Sequence, residues 1–329
     1  MTPHIPTKPM NTEQLQSNIA RLETLQRQLG LKDAPFCRRY LGGISEKTWT
    51  HRLKARKLDE ISDRMAERIG ALVAALTEGA PGELADFTPD LPFAKLLRAR
   101  TELLRAQTTD RRCLVVLAPT GVGKSWFARW DRLQNPADTI ILEIRPTWRN
   151  KAYHILSALA AKLGLPQEST AAALHDAIVA SLCTTPRLIY FDEGHEGGLA
   201  LLKLIKALVN ETPAWFVYLA YPSEWGKMLR ATDGAYDEAK QLVGRSLKPV
   251  FDDYRAGVSE KDVAVWLAKV AGLDAAAALA REIAPLIRSH FGLRTLADAL
   301  AEARAEADDT NRPVAELLVP AVRALCGAK

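Results

Sequence analysis

The stretch Ala118-Pro119-Thr120-Gly121-Val122-Gly123-Lys124-Ser125 follows at once on the apolar run Cys113-Leu114-Val115-Val116-Leu117 and leads into a helical pattern over 125–132. A strand that feeds a glycine-rich turn and then opens a helix is the setting in which backbone amides cradle phosphate oxygens. Small side chains let the amides of Gly121, Val122 and Gly123 approach an anion, and the helix N-terminus adds partial positive charge. Ala118 to Trp126 therefore reads as a phosphate loop with ATP as its ligand. Lys124 is expected to reach the β- and γ-phosphates, and Ser125 to bind Mg²⁺. The consensus G-x-x-x-x-G-K-[ST] has Gly where this chain has the small Ala118.

Three further apolar runs lie at 139–144, 187–191 and 214–220. Helical patterns over 93–107, 125–132, 151–163, 171–182 and 199–210 alternate with them, which implies a parallel sheet covered on both faces. From Glu260 onward the chain reads helical and Ala/Leu-rich, with Trp266, Leu267, Val270, Leu273, Leu279, Ile283, Ile287 and Leu296 as its core. The expected fold is an α/β core with a parallel sheet, a C-terminal helical lid and an N-terminal all-α, helix-turn-helix-like module. The expected boundaries are an arm and helix at 1–30, the helical module at 31–80, a Gly/Pro-rich linker at 81–92, the core at 93–255 and the lid at 256–329.

The run Tyr190-Phe191-Asp192-Glu193 places two acids at the C-terminal end of a strand, where such sheets bind their ligands. Asp192 is expected to hold Mg²⁺. Glu193 is expected to orient and deprotonate the attacking water, as phosphoryl transfer to water requires. His195, two residues on, reads as a loop residue.

Composition sets outer limits. The chain has 329 residues, 48% of them hydrophobic and 25% charged, which fits a globular protein of two or three domains. No apolar run approaches the roughly 20 residues of a membrane helix. The four cysteines have no paired spacing, which argues against zinc or a disulfide framework and for a reducing cytoplasm. The net charge of +5 is mild, so its distribution matters more than its total.

Four pieces taken together narrow the reading: A-P-T-G-V-G-K-S, Y-F-D-E-G-H, Q-L-V-G-R and F-G-L-R-T-L-A-D-A-L. On these, residues 93–305 resemble AAA+ ATPases of the group that contains the transposition target-selection proteins, the B protein of Mu-type phages and TnsC-like proteins. The resemblance implies that Arg245 supplies an arginine finger to a neighbouring subunit and that Arg294 is a lid arginine contacting the nucleotide. A solvated surface arginine is the alternative for each. The family often has Thr or Asn where this chain has Tyr221.

Residues 36–58 hold seven basic side chains, Arg38, Arg39, Lys47, Arg52, Lys54, Arg56 and Lys57, against the single acid Glu46. A helix, a Gly-containing turn and a second helix from Ser45 give this segment the cadence of a helix-turn-helix. It resembles the DNA-binding module of the Mu-type B protein and phage repressor domains. Lys47, Thr50, Arg52 and Lys54 are its candidate contacts to double-stranded DNA; a basic protein-docking helix is the rival reading. Arg149 and Lys151, in the loop after the second strand, are candidate phosphate contacts in the core, with a solvated loop as alternative.

The reading implied is an ATPase that forms homo-oligomers or filaments on DNA, serves a transposase, and has no membrane partner. A replication initiator or helicase loader, and a nucleotide-gated signalling or defence switch, stand as alternatives.

Overall fold

The computed structural model describes residues 12–28, 32–41, 44–63, 65–67, 69–70, 73, 87–230, 235–247, 254, 256–274, 276–288 and 290–327. The chain divides into two compact units, Met1–Glu83 with Arg132–Asp138, and Leu84–Asp131 with Thr139–Lys329. The expected turn at Gly42-Gly43 and the first half of the expected linker, 81–86, lie outside the described residues.

In the larger unit the apolar runs form four strands: β1 (Cys113–Leu117), β2 (Thr139–Glu143), β3 (Leu188–Asp192) and β4 (Trp215–Ala220). All pair in parallel in the order β1-β4-β3-β2. Because successive side chains alternate faces, each strand feeds two cores. Leu114, Val116, Leu188, Tyr190, Val217 and Leu219 enter one core, together with the helix Pro92–Arg105 and the C-terminal helices. Val115, Ile189, Phe191, Phe216 and Tyr218 enter the other, covered by Ala152–Lys162, Ala171–Thr184 and Gly198–Glu211. Both faces are thus dry, which is why β1 and β3 are apolar almost throughout rather than alternating.

Alongside β1, the amide of Leu247 donates to Cys113 O at 2.8 Å and the amide of Cys113 to Arg245 O at 3.3 Å. Arg245 is therefore fixed at the N-terminal end of β1, whereas the phosphate loop leaves its C-terminal end.

Two buried carboxylates on the Tyr190 side of the sheet each accept from several donors. Under β3, Arg105 grips Asp131 through two bonds of 3.1 and 2.8 Å, and Tyr190 donates to the same carboxylate at 2.7 Å. Where the lid begins, Asp262 is 1% exposed. It caps the helix Glu260–Trp266 reciprocally with Ser259 and also accepts from the Phe93 amide at 3.0 Å and the Tyr254 hydroxyl at 3.2 Å. One carboxylate therefore ties the start of Pro92–Arg105 to the start of the lid. The lid comprises Glu260–Trp266, Ala276–Ile287, Leu293–Thr310 and Val314–Leu325, and Trp266, Ile283, Ile287 and Leu296 are fully buried in it.

The smaller unit is helical. Leu15, Ile19 and Leu22 of Thr12–Gln28 pack with Phe36, Leu41, Trp49 and Leu53 in a core of its own. Ser45 caps the turn Glu46–Thr48 by accepting from the Thr48 amide at 3.1 Å. The chain runs on as Trp49–Leu53, where the bonding widens to i→i+5 and the Lys54 amide reaches Trp49 O. Among the described residues, no helix is long and apolar enough to cross a membrane.

Asp262→Ala removes the acceptor of the Phe93 and Ser259 amides and of the Tyr254 hydroxyl, together with a cap, so it should lower unfolding stability by about 3 kcal/mol. Urea unfolding of the full chain checks this; a loss below about 1 kcal/mol would contradict the role given to Asp262.

Candidate active site

The parallel strands all end on one side, and there a cleft is lined by Thr120, Gly121, Gly123, Lys124, Ser125 and Trp126 of the phosphate loop and its helix. Asp192 and Glu193 from the end of β3, Tyr221 after β4 and Arg294 of the lid complete the residues singled out in the sequence. Val122 lies in the loop but turns its side chain into the core, 1% exposed.

Lys124 is 7% exposed. Its Nζ donates to the carbonyls of Ala118 at 2.6 Å and Pro119 at 2.9 Å and lies 4.8 Å from the centre of the Tyr221 ring. Burial lowers its pKa from 10.5 to about 8, against the pull of Glu193 and Asp192, with Arg294 adding to the lowering. A charge so poorly solvated is poised to take an anion.

Asp192 lines the same cleft as Ser125, is 7% exposed, and its Oδ1 accepts from the Glu193 amide at 3.1 Å. No group of three or more His, Cys, Asp or Glu that could hold a metal occurs among the described residues. Ser125 and Asp192 suit an ion that arrives with phosphates and keeps several waters, as Mg²⁺ does, rather than one caged by protein.

Glu193 has left-handed backbone angles, φ 52° and ψ 38°. For a residue with a Cβ this costs about 1–2 kcal/mol, and it aims the carboxylate back across the sheet end. Oε1 accepts from the Tyr221 hydroxyl at 3.1 Å. Burial pushes the Tyr221 pKa up, so the phenol stays a donor. His195 is buried beneath, its ring centre 4.5 Å from that of Tyr221 and its Nδ1 3.7 Å from Glu193 Oε2. It lies in the short 3-10 turn Gly194–Gly197, a buried neighbour of the acid.

The lid is keyed to the loop through two glycines. Gly121 has φ 78°, and a Cβ there would overlap the carbonyl of Phe291. The Leu293 amide donates to Gly121 O at 2.8 Å. Gly292, with φ 56°, sits so close that its own Cβ would lie 2.9 Å from Gly121 O. This backbone contact delivers Arg294, in the first turn of Leu293–Thr310, to the cleft.

Two lining residues escaped the sequence reading, Arg129 and Glu143. Both follow rules that were available. Arg129 lies one helical turn after Ser125, and Glu143 ends β2 in register with Asp192.

Arg245 does not line this cleft. Its Nε donates to Asn210 Oδ1 at 2.9 Å and Nη1 to Gln241 O at 3.3 Å. It lies about 16 Å of strand away from the phosphate loop, on the opposite end of the sheet.

The basic candidates of the smaller unit are largely engaged. Asp33 accepts from Lys54 at 2.5 Å and from Thr50 at 3.1 Å, and also from Gln26, whose Oε1 receives the Trp49 indole. The bonds from Lys54, then Gln26, hold the Asp33 pKa down at about 2. Arg56 forks onto Glu23 at 2.8 and 3.2 Å, and Arg52 lies 3.5 Å from Glu60. Lys47 is exposed. In the loop after β2, Arg149 and Lys151 are exposed, Trp148 is half-buried and packs on the core, and Arg145 lies over its ring at 5.4 Å.

Residues 106–229 match the model of the family described as AAA domain. With the parallel sheet and the cleft, this indicates an AAA-type P-loop ATPase domain. Comparison of the chain with curated proteins finds no match.

Between about pH 8 and 10.5 the unfolded chain keeps the Lys124 proton that the folded protein has released, so stability rises with pH across that window. Nucleotide-free protein should show this gain, and Lys124→Met should lack it. Urea midpoints of both measured across the window check it; parallel curves would contradict the burial cost.

Proposed function

We propose that this chain is an ATP-hydrolysing protein that assembles on double-stranded DNA in its ATP-bound state and regulates DNA transposition. It would do so by target selection and transposase activation, and hydrolysis would drive its release. The observation that carries the hydrolytic part is the meeting of Lys124, Ser125, Asp192 and Glu193 in one cleft. Lys124 and the loop amides would take the phosphates. Ser125 and Asp192 would hold Mg²⁺, which supplies charge neutralisation on the phosphate oxygens. Water attacks the γ-phosphorus and gives its proton to Glu193, while the bond to the β–γ bridging oxygen breaks and ADP leaves.

Assembly is supported by the place of Arg245. At the far end of its own sheet it is out of reach of its own cleft, as an arginine that acts on a neighbour's phosphate would be, and a site completed by a neighbour forms only in an oligomer. DNA binding is supported by the exposed Lys47 and by Arg149 and Lys151 beside the sheet end. The transposition role is supported by the Q-L-V-G-R and F-G-L-R-T-L-A-D-A-L segments and their order.

One observation favours a second reading, a nucleotide-gated switch whose N-terminal module binds protein. Lys54, Thr50, Arg56 and Arg52 already face acids or an acid's oxygen of their own unit, which leaves less charge for phosphates.

Glu193→Gln should lower turnover at least about 100-fold while ATP still binds, and it should prolong ATP-dependent assemblies. Rapid disassembly of that variant in ATP would contradict the role of Glu193. Electron microscopy with duplex DNA and a non-hydrolysable ATP analogue should reveal filaments only when both are present. A monomer on DNA regardless of nucleotide would overturn the assembly reading, and DNA-independent ATPase activity would favour the switch.

A further inference from the structure

We infer that Trp126 seats the nucleobase, its indole stacking on the base of a purine nucleoside triphosphate whose phosphates lie in the loop. The inference rests on the reading of the cleft as a nucleotide site and concerns the part of the ligand that the loop does not hold. A nucleotide has an anionic end and an aromatic end, and the aromatic end packs best on another ring. Among the described residues, two aromatic side chains line the cleft, Trp126 and Tyr221. Tyr221 belongs to the anionic end: its hydroxyl donates to Glu193 Oε1 at 3.1 Å, and its ring lies 4.8 Å from the Lys124 ammonium. The terminal phosphate meets those same two groups, so the nucleoside lies away from them, and Trp126 is the aromatic that remains.

Phosphate binding does not ask for an indole here. The phosphate loop ends its requirements at Ser125, and Trp126 is the next residue on the helix Lys124–Gln134. Successive side chains on a helix turn by about 100°. Ser125 and Trp126 therefore leave the helix in different directions, one toward metal and phosphate and the other toward a different wall of the same cleft.

The indole is held in place by a row of rings. Trp126 is half-buried and meets Phe87 nearly edge-on, with centroids 6.4 Å apart and planes at 61°. Phe87 is buried and lies 6.4 Å from Trp130, which lies 5.7 Å from the fully buried Phe127. A ring backed in this way loses little freedom when a ligand stacks on it, which is what makes tryptophan an effective contact surface. Stacking reads a π-face, and every base has one. Trp126 thus serves ATP and GTP alike, serves a single pyrimidine ring less because it covers less of the bicyclic indole, and adds nothing for a ligand without a base.

Trp126→Leu keeps an apolar side chain against Phe87 and removes the stacking face. Titration calorimetry of the full chain with Mg²⁺ should show non-hydrolysable analogues of ATP and GTP each binding about tenfold more weakly, a loss of the size that base–aromatic stacking supplies. A CTP analogue should lose less, and inorganic tripolyphosphate should bind unchanged. Trp126→Phe, which restores a smaller face, should recover part of the loss. Unchanged affinity for the ATP analogue, an equal loss for tripolyphosphate, or a loss for CTP as large as that for ATP would overturn the inference. So would a loss for ATP with GTP untouched, which means a base read by its edge. If the wild-type protein binds tripolyphosphate as tightly as the ATP analogue, the base has no seat and the inference falls while the phosphate loop stands; if it binds neither, the nucleotide reading falls with it.

Discussion

The ammonium of Lys124 lies at the end of the sheet with two main-chain carbonyls and the face of a tyrosine for solvent. Burial there brings its pKa to about 8, which means that the empty protein keeps a charge where charge is expensive. The neighbouring features follow from that constraint. Asp192 and Glu193 offset it from the end of β3, Tyr221 screens it from above, and the loop carbonyls replace lost water. An incoming phosphate relieves the same constraint, so affinity for the ligand and instability without it share one cause.

The architecture beneath the site was legible because it rests on local pattern. The expected strand at Cys113–Leu117 forms as read, and the other three differ from the apolar runs by a residue or so at their ends. Burial on both faces explains why those runs are continuous. The phosphate loop was legible for the same reason, being a strand, a turn and a helix in one short segment.

What the sequence did not disclose depends on side chains meeting across strands or across the chain. Glu193 and Tyr221 are 28 residues apart, and nothing local to either says that one donates to the other. The lid's grip on Gly121 joins positions more than 170 residues apart through backbone atoms, to which side-chain patterns are blind. The basic segment is a different case. Counting cations over 36–58 left out Glu23, Asp33 and Glu60, which lie just outside that window and pair with Arg56, Lys54 and Arg52 in the folded unit.

The glycine contact between loop and lid has a mechanical side. Leu293–Thr310 is a helix of 18 residues, about 27 Å long, and its first amide is bonded to the phosphate loop. It is a lever whose fulcrum is Gly121. A tilt of about 5° at that point would carry the far end through about 2 Å. A surface that touches the distal lid would then be linked to the phosphate loop through one helix and one backbone bond.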